Sequence, residues 1–166
     1  MPMKRTLIAG ALALSTLALS ACGFTPLYAT PGVTPGLAAI ETVAPDGRAG
    51  YLLREQLDDA LARDIGVTPA YKLTMTVNEQ RYARGVRVDN IANRYELRMT
   101  VVWRLGDAKT GTEIRRGRAE AAVTYDSADQ PYAAIAAQND GQERAAAEVA
   151  RKIQLDLATW LAGKKA

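Results

Sequence analysis

Apolar and polar residues alternate with a period of two along three stretches of this chain, and with a helical period along two others. In the first stretch Tyr71, Leu73, Met75 and Val77 share one parity, while Lys72, Thr74, Thr76 and Asn78 share the other. In the second, Ile91, Tyr95, Leu97, Met99, Val101, Trp103 and Leu105 oppose Arg94, Glu96, Arg98, Thr100 and Arg104. In the third, Ala119, Ala121, Val123 and Tyr125 oppose Arg118, Glu120 and Thr124. This pattern predicts antiparallel strands with one packed face and one wet face. The run Gly106 to Gly111 supplies a hairpin turn between the last two strands. Ile114 falls on the wrong parity, which predicts a bulge near Arg115 to Gly117.

A packed face needs a cover. Between Tyr51 and Arg63, Leu53, Leu57, Ala60 and Leu61 lie on one helical face, with Gly66 as the expected stop. Near the C-terminus, Ala146, Val149, Ala150, Ile153, Leu157, Trp160 and Leu161 form a second helical stripe. That helix can start at Tyr132, after Pro131, and run on continuous or slightly kinked. The run Asp140-Gly141-Gln142-Glu143 could instead cap a fresh helix. A short apolar strand from Leu37 to Val43, closed by Pro45-Asp46-Gly47, precedes both helices. The predicted order is βαβββα. This is an α+β two-layer sandwich, with two helices packed on one face of a mostly antiparallel four-stranded sheet.

Upstream of this domain the pattern changes. Lys4 and Arg5 precede an apolar run from Leu7 to Leu19. That run is too short for a spanning helix, which needs about 20 residues, and it has the form of a secretory signal peptide. It ends in Leu19-Ser20-Ala21-Cys22, which matches a bacterial lipobox, with Cys22 as the lipid attachment point. Gly23, rather than aspartate, favours the outer membrane. Three prolines and two glycines between Phe24 and Gly36 predict a semi-extended linker with neither helix nor central strand. The chain thus divides into a signal peptide at 1–21, a lipidated N-terminus and linker at 22–36, and one α+β domain at 37–166.

Composition narrows the chemistry. The chain of 166 residues has no histidine and one cysteine, which removes His-dependent triads, His-rich zinc sites and internal disulfides. Neither a phosphate loop nor metal-ligand spacing is visible. Asp58 and Asp59 do not face each other on a helix, so they make a poor acid–base pair. An enzyme built on carboxylates remains the weakest reading, and no cofactor is expected beyond the diacylglycerol and N-acyl chain on Cys22.

The net charge of +3 hides an asymmetry. From Tyr71 to Leu105 seven basic residues face three acidic ones, whereas from Cys22 to Ala70 three basic residues face six acidic ones. The strand cations have two readings: they solvate an exposed sheet face, or they bind phosphate or carboxylate groups through arginine forks. The loop Arg84-Gly85-Val86-Arg87-Val88-Asp89-Asn90 adds cations at one end of the sheet. Nucleic acid is not expected, because the polar parity lacks a stacking aromatic array.

The start Cys22-Gly23-Phe24-Thr25-Pro26-Leu27-Tyr28, followed by βαβββα and an alanine-rich charged final helix, resembles the LptE family of lipopolysaccharide-assembly lipoproteins in its alphaproteobacterial form. The segments Tyr125-Asp126-Ser127 and Gln142-Glu143-Arg144-Ala145-Ala146 are also similar to that family, and Gly141 departs from it. The resemblance implies a non-catalytic lipoprotein of the cell outer membrane. Such a protein plugs and helps assemble the LptD β-barrel and contacts lipopolysaccharide. Residues that would meet the lipopolysaccharide or the barrel are Lys72, Arg84, Arg87, Arg94, Arg98, Arg104 and Arg118. An accessory lipoprotein of another envelope complex, such as a transporter or a peptidoglycan synthase, fits the same residues.

Overall fold

The computed structural model describes residues 27–86, 92–127 and 129–164. The expected signal peptide, the expected lipobox residues Leu19, Ser20 and Ala21, the expected lipid attachment point Cys22, and Arg87 all lie outside the described residues.

Four strands make one sheet in the order β1-β2-β3-β4: Ile40–Val43, Tyr71–Val86, Ala92–Asp107 and Glu113–Asp126. The first pair is parallel and the other two are antiparallel. Among the described residues three α-helices accompany the sheet, after a 3-10 turn at Leu27–Ala29: α1 (Val33–Ala38), α2 (Arg48–Ala60) and α3 (Pro131–Gly163). The α+β class and helices packed on the sheet follow the period-two and helical patterns directly. Leu73, Leu97, Met99, Val101, Trp103 and Leu105 are buried beneath Leu53, Leu57, Val149, Ile153 and Leu157. The opposite parity is left uncovered by any described helix.

Length explains the division of labour between helices. At about 3.4 Å per residue the long strands reach roughly 50 Å. At about 1.5 Å per residue the 33-residue α3 does the same. A single helix therefore spans the sheet, while α2, with 13 residues, covers only the β1 end. Pro131 opens α3 in its first turn, where a missing N–H costs nothing.

The structure corrects three expectations. First, the stretch expected to be a semi-extended linker contains the helix α1, with Val33 and Leu37 buried. Pro35 sits in its first turn, whose amides have no partners within the helix in any case. Strand β1 consequently begins at Ile40, not Leu37. Second, α2 ends at Ala60, before Gly66. Ala62 takes a left-handed φ of 49°, Arg63 N donates to Asp58 O at 2.9 Å, and this closes the helix without glycine. Gly66 N instead donates to the Asp64 carboxylate at 2.8 Å.

Third, the bulge lies one residue earlier than expected. Leu105 pairs with Arg115 and Gly106 with Glu113, so Ile114 is the extra residue. Arg115 is thereby turned to the helix-covered face, where its guanidinium meets Asp156 of α3. The continuous final helix expected from the sequence is borne out: it runs without interruption through Gly141, from Pro131 to Gly163. A Cβ on Gly141 would lie 3.0 Å from Cδ1 of Tyr125, so the glycine serves close packing of α3 on β4.

Candidate functional site

The uncovered sheet face is built by the parity of three strands. The β2–β3 and β3–β4 registers place Lys72, Arg94, Arg98, Arg104 and Arg118 on it. Arg84 sits at an irregularity in β2, between the pairs Ala83↔Tyr95 and Gly85↔Arg94, and reaches the same face through Glu96. Six of the seven predicted contact residues are therefore on one surface, and the seventh, Arg87, is outside the described residues. Arg81, on the opposite parity, is turned toward α3. Its guanidinium lies 4.7 Å from the Tyr95 ring centroid and donates to Gln138 Oε1 at 2.8 Å.

The cations do not stand alone. Arg84 Nε lies 2.9 Å from Glu96 Oε2, and Arg98 Nη2 lies 3.0 Å from Glu96 Oε1. Arg98 Nε is 3.5 Å from Glu120, which Arg118 also approaches at 3.1 Å. The result is an alternating ladder across three strands: Arg84, Glu96, Arg98, Glu120, Arg118. Arg94 pairs with Asp126 at 2.8 Å beside it. The Glu96 carboxyl is held below its ordinary value, first by the hydrogen bond from Arg84, against a burial penalty that ranks next, with Arg98 adding a weaker pull in the same direction as Arg84. Arg98 Nε has no hydrogen-bond partner, because 3.5 Å is an ion-pair contact and not a bond. Tyr82 lies between the two upper arginines, its ring centroid 5.6 Å from the Arg84 guanidinium and 5.5 Å from that of Arg98.

At the other end of this face an open depression of about 560 Å³ lies beside the β3–β4 hairpin. Lys72, Thr74, Arg104, Lys109 and Glu113 line it. Arg104 and Arg116 share Glu113 at 3.7 and 3.8 Å. Sequence parity missed Arg116 as a member of the face, because the bulge was expected one residue further on. Parity placed Glu96 and Glu120 on the face without showing which arginines they pair with, and it missed Asp126 and Glu113. The signal for Glu96, Glu120 and Asp126 was their shared parity with the arginines, whereas Glu113 joins the face only through the bulge at Ile114.

On the helix-covered side a buried glutamine joins three elements. Arg48 Nε at the start of α2 donates to Gln142 Oε1 at 3.0 Å. Gln142 Nε2 in turn donates to both oxygens of Glu79 on β2, at 2.9 and 3.1 Å. Gln142 is buried, so this relay ties two helices and a strand together at their common corner.

Asp58, considered above as a carboxylate of interest, receives Thr42 Oγ1 and is ion-paired to Arg54 at 3.6 Å. Among the described residues no group of His, Cys, Asp or Glu is arranged to hold a metal ion. Among them, too, no helix is long and apolar enough to cross a membrane.

Fold and site together define an α+β module that presents a broad, charged, uncovered sheet face and not an enclosed cleft. The model of the LptE lipopolysaccharide-assembly family matches residues 37–157, and the chain belongs to that family. Its role therefore lies in lipopolysaccharide transport and assembly. A crystal structure of a Caulobacter crescentus CB15 protein described as a lipoprotein is 74% identical. It has a TM-score of 0.72, with 81% of this chain and 98% of that one covered. A minor lipoprotein from Acinetobacter baumannii shares the fold at 17% identity and a TM-score of 0.50, covering 70% of this chain and 92% of its own. Comparison with the curated proteins gives no significant match.

Proposed function

We propose that this chain is a lipid-anchored outer-membrane lipoprotein that plugs, and helps assemble, an LptD-like β-barrel and assists insertion of lipopolysaccharide into the outer leaflet. Its part is binding and assembly, without catalysis. The observation that carries this reading is the ladder on the uncovered sheet face. Exposed ion pairs contribute only about 0–1 kcal/mol each. The carboxylates between Arg84, Arg98 and Arg118 are therefore exchangeable for anionic groups that offer arginine a better fork, phosphate above all. A polar, mixed-charge face also suits a barrel lumen, because such interiors are polar.

The family supports the lipopolysaccharide side of this reading. The lipoprotein description of the Caulobacter relative supports the anchor, for which Cys22 is the attachment point. Two or three acyl chains on Cys22, at about 0.8 kcal/mol per buried methylene, hold a protein at a membrane where one chain does not.

The test is depletion of the protein in cells, with surface lipopolysaccharide and barrel folding followed together. Loss of both is expected. Normal levels of both, or co-purification with an envelope complex that contains no large barrel, contradicts the proposal.

A further inference from the structure

The outer edge of β4 is an unused half of a β-ladder. Ser127 N donates to Asn93 O at 2.9 Å across the β3–β4 pair. The register from Arg94↔Asp126 to Leu105↔Arg115 runs without a break. Odd-numbered residues of β4 therefore turn their main chain toward β3, and even-numbered ones turn it outward. Among the described residues no strand pairs with that outward edge.

Two outward carbonyls are held by side chains of α3. Lys152 Nζ donates to Glu120 O at 2.7 Å, and Arg144 Nη2 donates to Thr124 O at 3.4 Å. Ala122 lies midway between them, exposed and with a side chain too small to shield its own N–H and C=O. A groove of about 470 Å³ runs here between β4 and α3, with Ala122, Val123, Arg144, Ala147, Arg151 and Lys152 in its walls. Three cations meet two carboxylates along this side of the helix. Asp140 pairs with Arg144 at 2.9 Å, and Glu148 is shared by Arg151 and by Lys152 at 3.4 Å.

We propose that the outer edge of β4 takes an extended, acidic segment of a partner protein as a fifth strand. Its N–H groups replace Lys152 and Arg144 on the carbonyls of Glu120 and Thr124. Its alternate side chains, turned toward α3, present carboxylates to the cations so released. This is strand addition, in which main-chain bonds give affinity and side-chain pockets give selection. The excess of cations along the groove decides for acidic residues on the α3 side. The inference stands independently of the reading of the uncovered face, since the groove lies on the helix side of the edge.

The test uses the signal-less soluble chain and ten-residue peptides in which valine alternates with glutamate or with lysine. The glutamate peptide is expected to bind at least tenfold tighter than the lysine peptide. It should also slow amide exchange at Ala122 and Thr124. Methylating the peptide nitrogens on its pairing edge should abolish binding, while methylation on its other edge should leave it intact. That comparison leaves the protein unaltered, so folding cannot confuse it. Ala122→Pro, which removes an outward N–H from an edge strand that tolerates proline, should also cost tenfold or more. Equal binding by the two methylated peptides, or by the glutamate and lysine peptides, overturns the proposal. So does a β4-dependent dimer of the chain that the glutamate peptide fails to dissociate, since the occupant would then be a second copy.

Discussion

Gly117 of β4 lies flat beneath the indole of Trp103, its direct partner across the β3–β4 ladder. A Cβ on Gly117 would sit 2.4 Å from Cζ2 and 2.6 Å from Cε2 of that ring. Trp103 is buried, and the glycine opposite it gives the largest core side chain room to lie across the sheet.

Gly117→Val is accordingly expected to force the indole from its position and destabilise the fold by about 1–3 kcal/mol, the usual cost of overpacking. About 1 kcal/mol corresponds to about 2–4 °C in Tm for a domain near this size. Thermal unfolding followed by tryptophan fluorescence measures both the stability and the displacement. An unchanged Tm with an unchanged emission spectrum would show that the ring has room to spare.

The same geometry recurs more mildly at Gly141. A side chain there gains helix propensity, about 1 kcal/mol for alanine over glycine, and meets the Tyr125 ring at 3.0 Å. Gly141→Val adds methyl groups beyond that contact, so a loss of about 1–2 kcal/mol is expected despite the removal of glycine. Urea denaturation of the variant measures it. A gain in stability would place the ring farther from the helix than described.

Gln142 links Arg48 to Glu79 in the relay on the helix-covered side. Gln142→Leu keeps the volume but leaves the Glu79 carboxylate without its two N–H bonds, and a loss of about 1–3 kcal/mol is expected. A double-mutant cycle with Glu79→Gln separates the pair from its surroundings. Additive effects would mean that Gln142 and Glu79 do not act on each other.

Acid should weaken the fold through its depressed carboxylates. Glu96, Asp107 and Glu148 are all held below their ordinary values. The first cause is Arg84 for Glu96, the Thr110 amide for Asp107 and Arg151 for Glu148. In this range the unfolded chain binds more protons than the folded one. The contribution is thus fully present above the unfolded carboxylate range, about pH 4 to 4.5, and is lost as the pH falls through the lower folded values. Tm should hold from pH 7 to about 5 and decline below. In Glu96→Gln the deficit relative to the parent should shrink as the medium turns acid. A deficit independent of pH would remove Glu96 from the account.

Much of this was legible from period-two alternation alone. The parity that buries Leu97, Met99, Val101 and Trp103 also sets Arg94, Arg98 and Arg104 on the wet face, so locating the face needed no structure. Elements governed by contacts distant in sequence were not legible. Helix α1 forms where proline and glycine argued against it, because Val33 and Leu37 reach the core and Gly36 packs against Leu161. The role of Gly141 in close packing is not legible either, because its neighbour, Tyr125, is remote in the chain. The pairing of arginines with Glu96 and Glu120 depended on a register that alternation does not give.

The arginines themselves are tested by Arg94→Ala combined with Arg98→Ala in the soluble domain. At low salt this pair should weaken binding of lipopolysaccharide several-fold, with Tm changed little because exposed ion pairs contribute little. Unchanged affinity would return these residues to simple solvation of a sheet face.

The most direct measurement of the central claim is photo-crosslinking in intact cells from the uncovered face. The crosslinker would replace Thr76 or Thr100 there, with Gln138 on α3 as the comparison. The account predicts adducts with lipopolysaccharide or a large outer-membrane barrel from Thr76 and Thr100. Crosslinks from that face to neither one would contradict it.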